Sequence, residues 1–322
     1  MISIKRYSLE DKATWDSFVK EAKNASFIHN RDFMEYHAER FTGHSLIIFN
    51  KSKICAVFPA NQDADNVVSH RGLGYGGLIL QKSVKLQTVL KIFYHLLKYY
   101  HDNNVREITY RAIPSFFTTH ASCEEEYAFF LLKAEICRRD TSFTIDLENK
   151  LPYQTRRIRS IRKANSHGVF IKLEDSVSSF WEKILIPNLQ ERYRILPVHS
   201  AAEMSLLKSR FPDNIKQYNA YYNDEIVAGT TVYIINKTAH CQYISTCDKG
   251  RQVGAIDFLF DYLINKEFSG FRYFSFGISN EKDGKELNRG LTDWKEGFGA
   301  RAWSVNFYNV QTRNYKYLEE FQ

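Results

Sequence analysis

One order of segments occurs twice along this chain, and no other feature of the sequence narrows the fold as much. SLIIF (45–49), ICAVFPA (54–60) and NVVSH (66–70) are β-type runs, with NKSK as a turn between the first two. GLGYGG (72–77) follows, then an amphipathic helix predicted over about 85–101, then a strand at VREITYRA (105–112). Further on, AYYND (220–224), EIVAGTTVYII (225–235) and AHCQYISTC (239–247) are again β-type runs. DKGRQVGA (248–255) reads as a loop, 255–266 as a helix and RYFSFG (272–277) as a strand. Both stretches read β-β-β-α-β. Ile54 and Ile226, Ile108 and Phe274, and Lys133 and Lys295 stand 172, 166 and 162 residues apart, a drift of a few loop residues. We read this as an internal duplication of about 150 residues. The seam is expected near residue 150, dividing an N-terminal domain at 1–150 from a C-terminal domain at 151–322. Two short helices, 11–22 and 31–40, are expected to open the chain, with Asn30 capping the second.

With 44% hydrophobic residues and only 15 Gly and 6 Pro in 322 residues, disorder and fibrous repeats are excluded. Lys and Arg exceed Asp and Glu to give +7, which favours a polyanionic partner or a phosphate-bearing substrate. The five cysteines (Cys55, Cys123, Cys137, Cys241, Cys247) form no C-x-x-C pair, so reduced thiols and no metal site are expected. No run approaches the length of a membrane span and the first residues lack an apolar leader, so the expectation is a soluble, cytoplasmic protein. G-x-S-x-G, H-E-x-x-H and Walker patterns are absent, which disfavours those hydrolases and P-loop ATPases.

Arg156, Arg157, Arg159, Arg162 and Lys163 crowd one short stretch, and on a helix Arg159, Arg162 and Lys163 share a face suited to phosphate. Arg192 and Arg194 add to that inventory. The Gly-punctuated FSFGISNEKDGKELNRG (274–290) follows a strand, so Ser279, Asn280 and Asn288 are expected to line a pocket at its end.

TRRIRSIRKANSHGVFI (155–171), WKEGFGA (294–300) and the duplicated layout together resemble the FemAB-like branch of the GNAT acyltransferase superfamily, over nearly the whole chain. The resemblance implies an α+β fold: two tandem GNAT-like domains, each a twisted, mostly antiparallel mixed sheet flanked by helices. It implies an N-acyltransferase moving an acyl group to an amine of a cell-envelope or polysaccharide precursor, such as a nucleotide-linked amino sugar. The donor would be acetyl-CoA or another acyl-CoA; the alternative is an aminoacyl-tRNA. A catalytically silent scaffold that binds RNA or a sugar is the rival reading.

In a GNAT fold the loop Lys249, Gly250, Arg251, Gln252, Val253 and Gly254 would cradle the coenzyme pyrophosphate at a helix N-terminus, although Ile256 stands where the usual pattern has a small residue. GLGYGG occupies the equivalent loop of the first copy and is expected to line a substrate. The resemblance associates WKEGFG with acyl transfer, with Lys295 offsetting the oxyanion and Trp294 beside the substrate. Arg159 and Arg192 would contact the acceptor. The attacking amine must shed a proton, and His240, Asp257, Glu296 and Tyr243 all remain open as its acceptor.

Overall fold

The computed structural model describes all 322 residues. Contacts divide them into two compact units: Met1–Asp140 with Asp283–Lys285 and Ser304–Gln322, and Thr141–Lys282 with Glu286–Trp303.

The first unit opens with β1 (Ile2–Arg6) and α1 (Lys12–Glu21). The second opening helix, expected over 31–40, ends after Arg31–Met34. Asn30 caps it, its side-chain oxygen accepting from the Asp32 N–H at 3.1 Å. Beyond Glu35 the chain turns, and the His37 ring takes the space that a side chain at Gly72 would need.

Next come β2 (Leu46–Asn50), β3 (Lys53–Phe58), β4 (Asn61–Asp63), β5 (Asn66–Val68), β6 (Ile79–Leu80), α2 (Leu86–Asp102), β7 (Glu107–Arg111), α3 (Glu124–Leu131) and β8 (Glu135–Asp146). Strands β1, β2, β3 and β6 pair antiparallel in that order, while β5 lies parallel to β7. Helix α2 buries Val89, Phe93, Leu96 and Tyr100, whose three- and four-residue spacing forms the apolar stripe that carries it onto this core.

The second unit runs α4 (Thr155–Ser166), β9 (Phe170–Glu174), α5 (Ile186–Tyr193), α6 (Ala201–Arg210), β10 (Ile215–Tyr222), β11 (Glu225–Ile235), β12 (Thr238–Thr246), α7 (Asp248–Val253), α8 (Ala255–Tyr262), β13 (Tyr273–Ile278), α9 (Arg289–Glu296) and β14 (Arg301–Gln311). Strands β9 to β12 form an antiparallel series. Alanine, glycine and threonine positions of β11 are buried along with its valines, as expected of a strand covered on both faces.

The closing strands are exchanged. Strand β8 follows the first copy's helices, yet its later residues pair with β13 in the second unit: Tyr273 with Asp146, Phe274 with Ile145, Ser275 with Thr144. Strand β14 follows the second copy's helices, yet Phe307 to Gln311 pair with β7 in the first unit. The sequence reading has a single seam near 150. Contacts instead divide the chain at Asp140/Thr141 and return Ser304–Gln322 to the first unit. Alternation marks a strand's two faces but is blind to which edge it joins.

Two features of the second unit make room for a site. Strands β12 and β13 are parallel neighbours over only three pairs, Thr238 with Tyr273, Ala239 with Phe274 and His240 with Ser275; beyond them the two strands no longer pair with each other, β12 staying with β11 and β13 with β8. Both are also irregular there: Gln242 is left out of register between Cys241 and Tyr243, and β13 shifts register against β8 between Ser275 and Ile278.

Candidate active site in the second unit

The divergence holds a buried lysine. Helix α9 is capped by Asn288, whose side chain accepts from the Leu291 N–H at 3.0 Å, and its last turn points Lys295 inward at 1% exposure. Nζ donates to the carbonyls of Gly277 at 2.9 Å and Ile278 at 2.6 Å. Gly277 has φ +73°, a left-handed conformation that costs glycine little, and it sits in the bulge that ends β13. Burial pushes the Lys295 ammonium down to about 7. An ammonium has three N–H groups, so the two carbonyls leave one for a ligand.

His240 faces the same place. Its Nδ1 lies 3.2 Å from Ser275 Oγ, which in turn lies 3.3 Å from Ser142 Oγ. Burial, with the charge of Lys295 second, lowers its imidazole to about 4, so it is neutral near pH 7. Ser279 Oγ is buried without a hydrogen-bond partner, as a group awaiting one would be. Asn280 behaves differently: its side-chain oxygen accepts the Thr141 N–H at 2.6 Å, which anchors the loop. The Cys241 thiol is pushed up to about 12 by burial, so it is a poor nucleophile.

Tyr243 lies beyond His240 on β12, paired with Thr231 of β11 past the last pair with β13. Its ring packs edge-on to Trp181, and its hydroxyl lies 2.6 Å from Nδ1 of His199. His199 escaped the sequence reading. A signal was present, because S-A-A-E at 200–203 is a capping box that starts α6 and fixes the residue before it.

Asp257 does not belong to this constellation. Both its oxygens accept from Arg157 Nη1 at 2.7 Å and one also from Trp294 Nε1 at 2.8 Å, so the carboxylate ties α4, α8 and α9 together. A proton-transfer role, as expected of it, would compete with these hydrogen bonds. Trp294 is likewise a packing residue, edge-on to Phe260, Phe276 and Phe298. Glu296 follows Lys295 on α9 and is half-buried.

The expected pyrophosphate loop is mostly helix. Lys249 to Val253 lie in α7, with Lys249 paired to Glu225 at 2.5 Å and Arg251 held by Asp248 and, at 2.7 Å, by the Thr246 carbonyl. Gln252 is exposed and Val253 buried. Gly250 presses on β11, where a Cβ would stand 2.3 Å from the Val227 carbonyl. Gly254 is left-handed at φ +79°, and a Cβ on it would stand 2.5 Å from the Ser160 carbonyl of α4. Both glycines therefore accommodate the chain's own backbone, and the residues do not fit a pyrophosphate cradle. Arg159, Arg162 and Lys163 are exposed on α4, beside that loop, and Arg192 is exposed at the end of α5.

The first copy's loop is filled from within. Arg111 Nη1 donates to the carbonyls of Arg71 at 3.2 Å and Leu73 at 2.6 Å, and the Gly76 N–H donates to the Arg111 carbonyl at 3.1 Å. Tyr75 is buried against Phe117 at 5.0 Å. Within GLGYGG, Leu73 and Tyr75 to Gly77 are buried, Gly72 is half-buried and Gly74 is exposed.

No family model matches this chain, and no curated protein matches it. Among solved structures it is similar to FemX, with TM-score 0.66 and 8% identity over 99% of this chain and 100% of that one. It is also similar to L-PGS from Bacillus licheniformis (0.63, 11%, 96% and 93%) and to a tandem GNAT protein from the clavulanic acid biosynthesis pathway (0.52, 10%, 97% and 99%). At these identities the shared property is the fold, which is the FemAB-like, tandem GNAT architecture expected. No helix is long and apolar enough to cross a membrane.

Proposed function

We propose that the protein is an N-acyltransferase whose transfer step takes place at Lys295 in the second unit. One observation carries the reading: a lysine held by two carbonyls at the end of a bulged strand, with a third N–H left for the oxygen of an activated carbonyl. Charge that develops on that oxygen would meet a donor already oriented and largely shielded from water, a contribution on the order of 10²–10³ in rate. The incoming amine attacks directly, since the buried thiol beside it is protonated at neutral pH.

For the donor we infer an aminoacyl-tRNA. Gly254 is closed by Ser160, which argues against coenzyme A, and the exposed Arg159, Arg162 and Lys163 flank the same loop, where a nucleic-acid backbone would find cations. The similarity to FemX supports the choice. An acyl-CoA remains the rival donor, favoured by the short pairing of β12 with β13 and by Arg251, bonded to the Thr246 carbonyl at the end of β12. For the acceptor we infer an amine on a phosphate-bearing cell-envelope precursor, with Arg192 among its contacts and Ser279 offering a hydroxyl. Incubating the protein with charged tRNAs and, separately, with acetyl-CoA, each against UDP- and dTDP-linked amino sugars, tests the proposal. Product from charged tRNA alone is the expected result; product from acetyl-CoA alone would reverse the donor, and no product from either would sink the enzyme.

A further inference from the structure

We propose that His199 is a positioning residue for the transfer step, holding the Tyr243 hydroxyl on the stretch of β12 past its last pair with β13 and taking up its proton; the proposal rests on the acyl-transfer reading of this site. Two contacts join the pair. The His199 main-chain N–H donates to the Tyr243 hydroxyl at 3.2 Å, and Nδ1 of the same residue lies 2.6 Å from that oxygen. With the hydroxyl accepting the main-chain N–H, Nδ1 at 2.6 Å is within reach of the phenolic hydrogen. The pairing is best satisfied with Nδ1 bare and the ring proton on Nε2. His199 is 6% exposed, its carbonyl accepts from Trp181 Nε1 at 3.3 Å, and the capping box of α6 begins at the next residue. The imidazole is therefore fixed from both sides of its backbone, and the phenol through it.

The bond balance is that of aminolysis. The amine nitrogen attacks the acyl carbonyl carbon, the C–N bond forms, and the bond from that carbon to the leaving ribose oxygen breaks. The surplus N–H proton passes to the Tyr243 oxygen while the phenolic proton passes to His199 Nδ1. Returning along the same two atoms, a proton reaches the departing oxygen, so amine and ester become amide and alcohol with the pair restored. His240 is a weaker base for the same proton, since burial, with the charge of Lys295 second, lowers its imidazole to about 4.

The test compares full-length wild type with His199→Ala, His199→Asn and Tyr243→Phe, all confirmed folded by their melting transitions. Against charged tRNA and an amine acceptor, His199→Ala and Tyr243→Phe are expected to lose about a hundredfold or more in kcat. His199→Asn keeps an acceptor near the position of Nδ1, so it should retain KM and lose kcat. Added imidazole should restore His199→Ala and leave Tyr243→Phe unmoved, a distinction that a purely structural role for His199 would not produce. In protein labelled with ¹⁵N-histidine, the His199 Nδ1 is expected as a bare acceptor whose signal moves in Tyr243→Phe. A His199→Ala as fast as wild type, or a proton resident on Nδ1, overturns the role while leaving the acyl-transfer reading intact. A wild type inert with every donor overturns that reading, and the role with it.

Discussion

Lys133 and Lys295 stand at matching places in the two copies, and their surroundings are opposite. Lys133 follows α3 with φ 53°, exposed, its ammonium 4.5 Å from the centre of the Tyr317 ring. Lys295 is buried, donates to two carbonyls and is pushed down to about 7. The loops differ in the same sense. In the first unit Arg111 fills GLGYGG from within, whereas in the second unit β12 and β13 diverge beside a lysine with an N–H left over. The order of elements is thus similar in both units, while the lysine at the matching place is exposed in one and buried against two carbonyls in the other. A position in a repeat says where a residue stands; its burial and hydrogen-bond partners say what it does.

The sharpest way to break this contrast is to remove the exchanged strand. Deleting Ser304–Gln322 takes Tyr308, Val310 and Leu318 from the first core and leaves β7 without its antiparallel partner. Three buried apolar side chains at about 1.5–3 kcal/mol each approach the whole stability of a domain. The first unit is expected to unfold, with loss of its melting transition and rapid proteolysis of residues 1–140. An unchanged melt would mean that the strand exchange is dispensable.

Next in size is the clamp. Asp257→Ala leaves the Arg157 guanidinium in its partly buried seat without its carboxylate and is expected to cost about 3–5 kcal/mol in denaturant unfolding. The fraction that stays folded should transfer acyl groups at an undiminished rate; a folded protein with normal stability and no activity would return Asp257 to the chemistry.

Lys295→Ala is expected to lower kcat by about 10²–10³, or about 2.7–4 kcal/mol of barrier, with little change in substrate binding. Lys133→Ala should leave both stability and rate within about 0.5 kcal/mol of wild type. Equal losses from the two would erase the distinction between the units.

The smallest effects are in pH, and they run in opposite directions. Burial raises the Glu125 carboxyl of the first unit to about 8, so between its ordinary value of 4.5 and 8 the folded chain holds a proton that the unfolded chain has released, and stability falls as pH rises. Lys295 is lowered from 10.5 to about 7, so between 7 and 10.5 the unfolded chain holds the extra proton and stability rises with pH. Glu125→Gln should flatten the first trend and Lys295→Met the second, read from melting temperatures across pH 5–10.

Much of the scaffold was legible because it is written in local pattern. The three- and four-residue spacing in 86–102 gives α2, and the β-type runs at 45–49 and 225–235 give mostly buried strands. The helix expected over 31–40 shrank because His37 packs against Gly72, a contact between residues that local periodicity cannot connect. Of the expected site residues, Lys295 is buried on α9 against the Gly277 and Ile278 carbonyls, Ser279 is buried just beyond β13, and Tyr243 is bonded to His199. Asp257, Trp294 and the Lys249–Gly254 loop are held by Arg157, Phe260 and Ser160, which come from distant elements that local pattern does not connect. His199 was missed for the same reason, since its meaning lies in a tyrosine on another strand.

The most direct test of Lys295 as the centre of transfer is a single-turnover assay with tRNA carrying a radiolabelled aminoacyl group and an amine acceptor, comparing wild type with Lys295→Ala. The account expects label to pass to the acceptor with no acyl-enzyme at any time, and to pass about 10²–10³ more slowly in the variant. Label bound covalently to the protein, or equal rates in the two proteins, would contradict it.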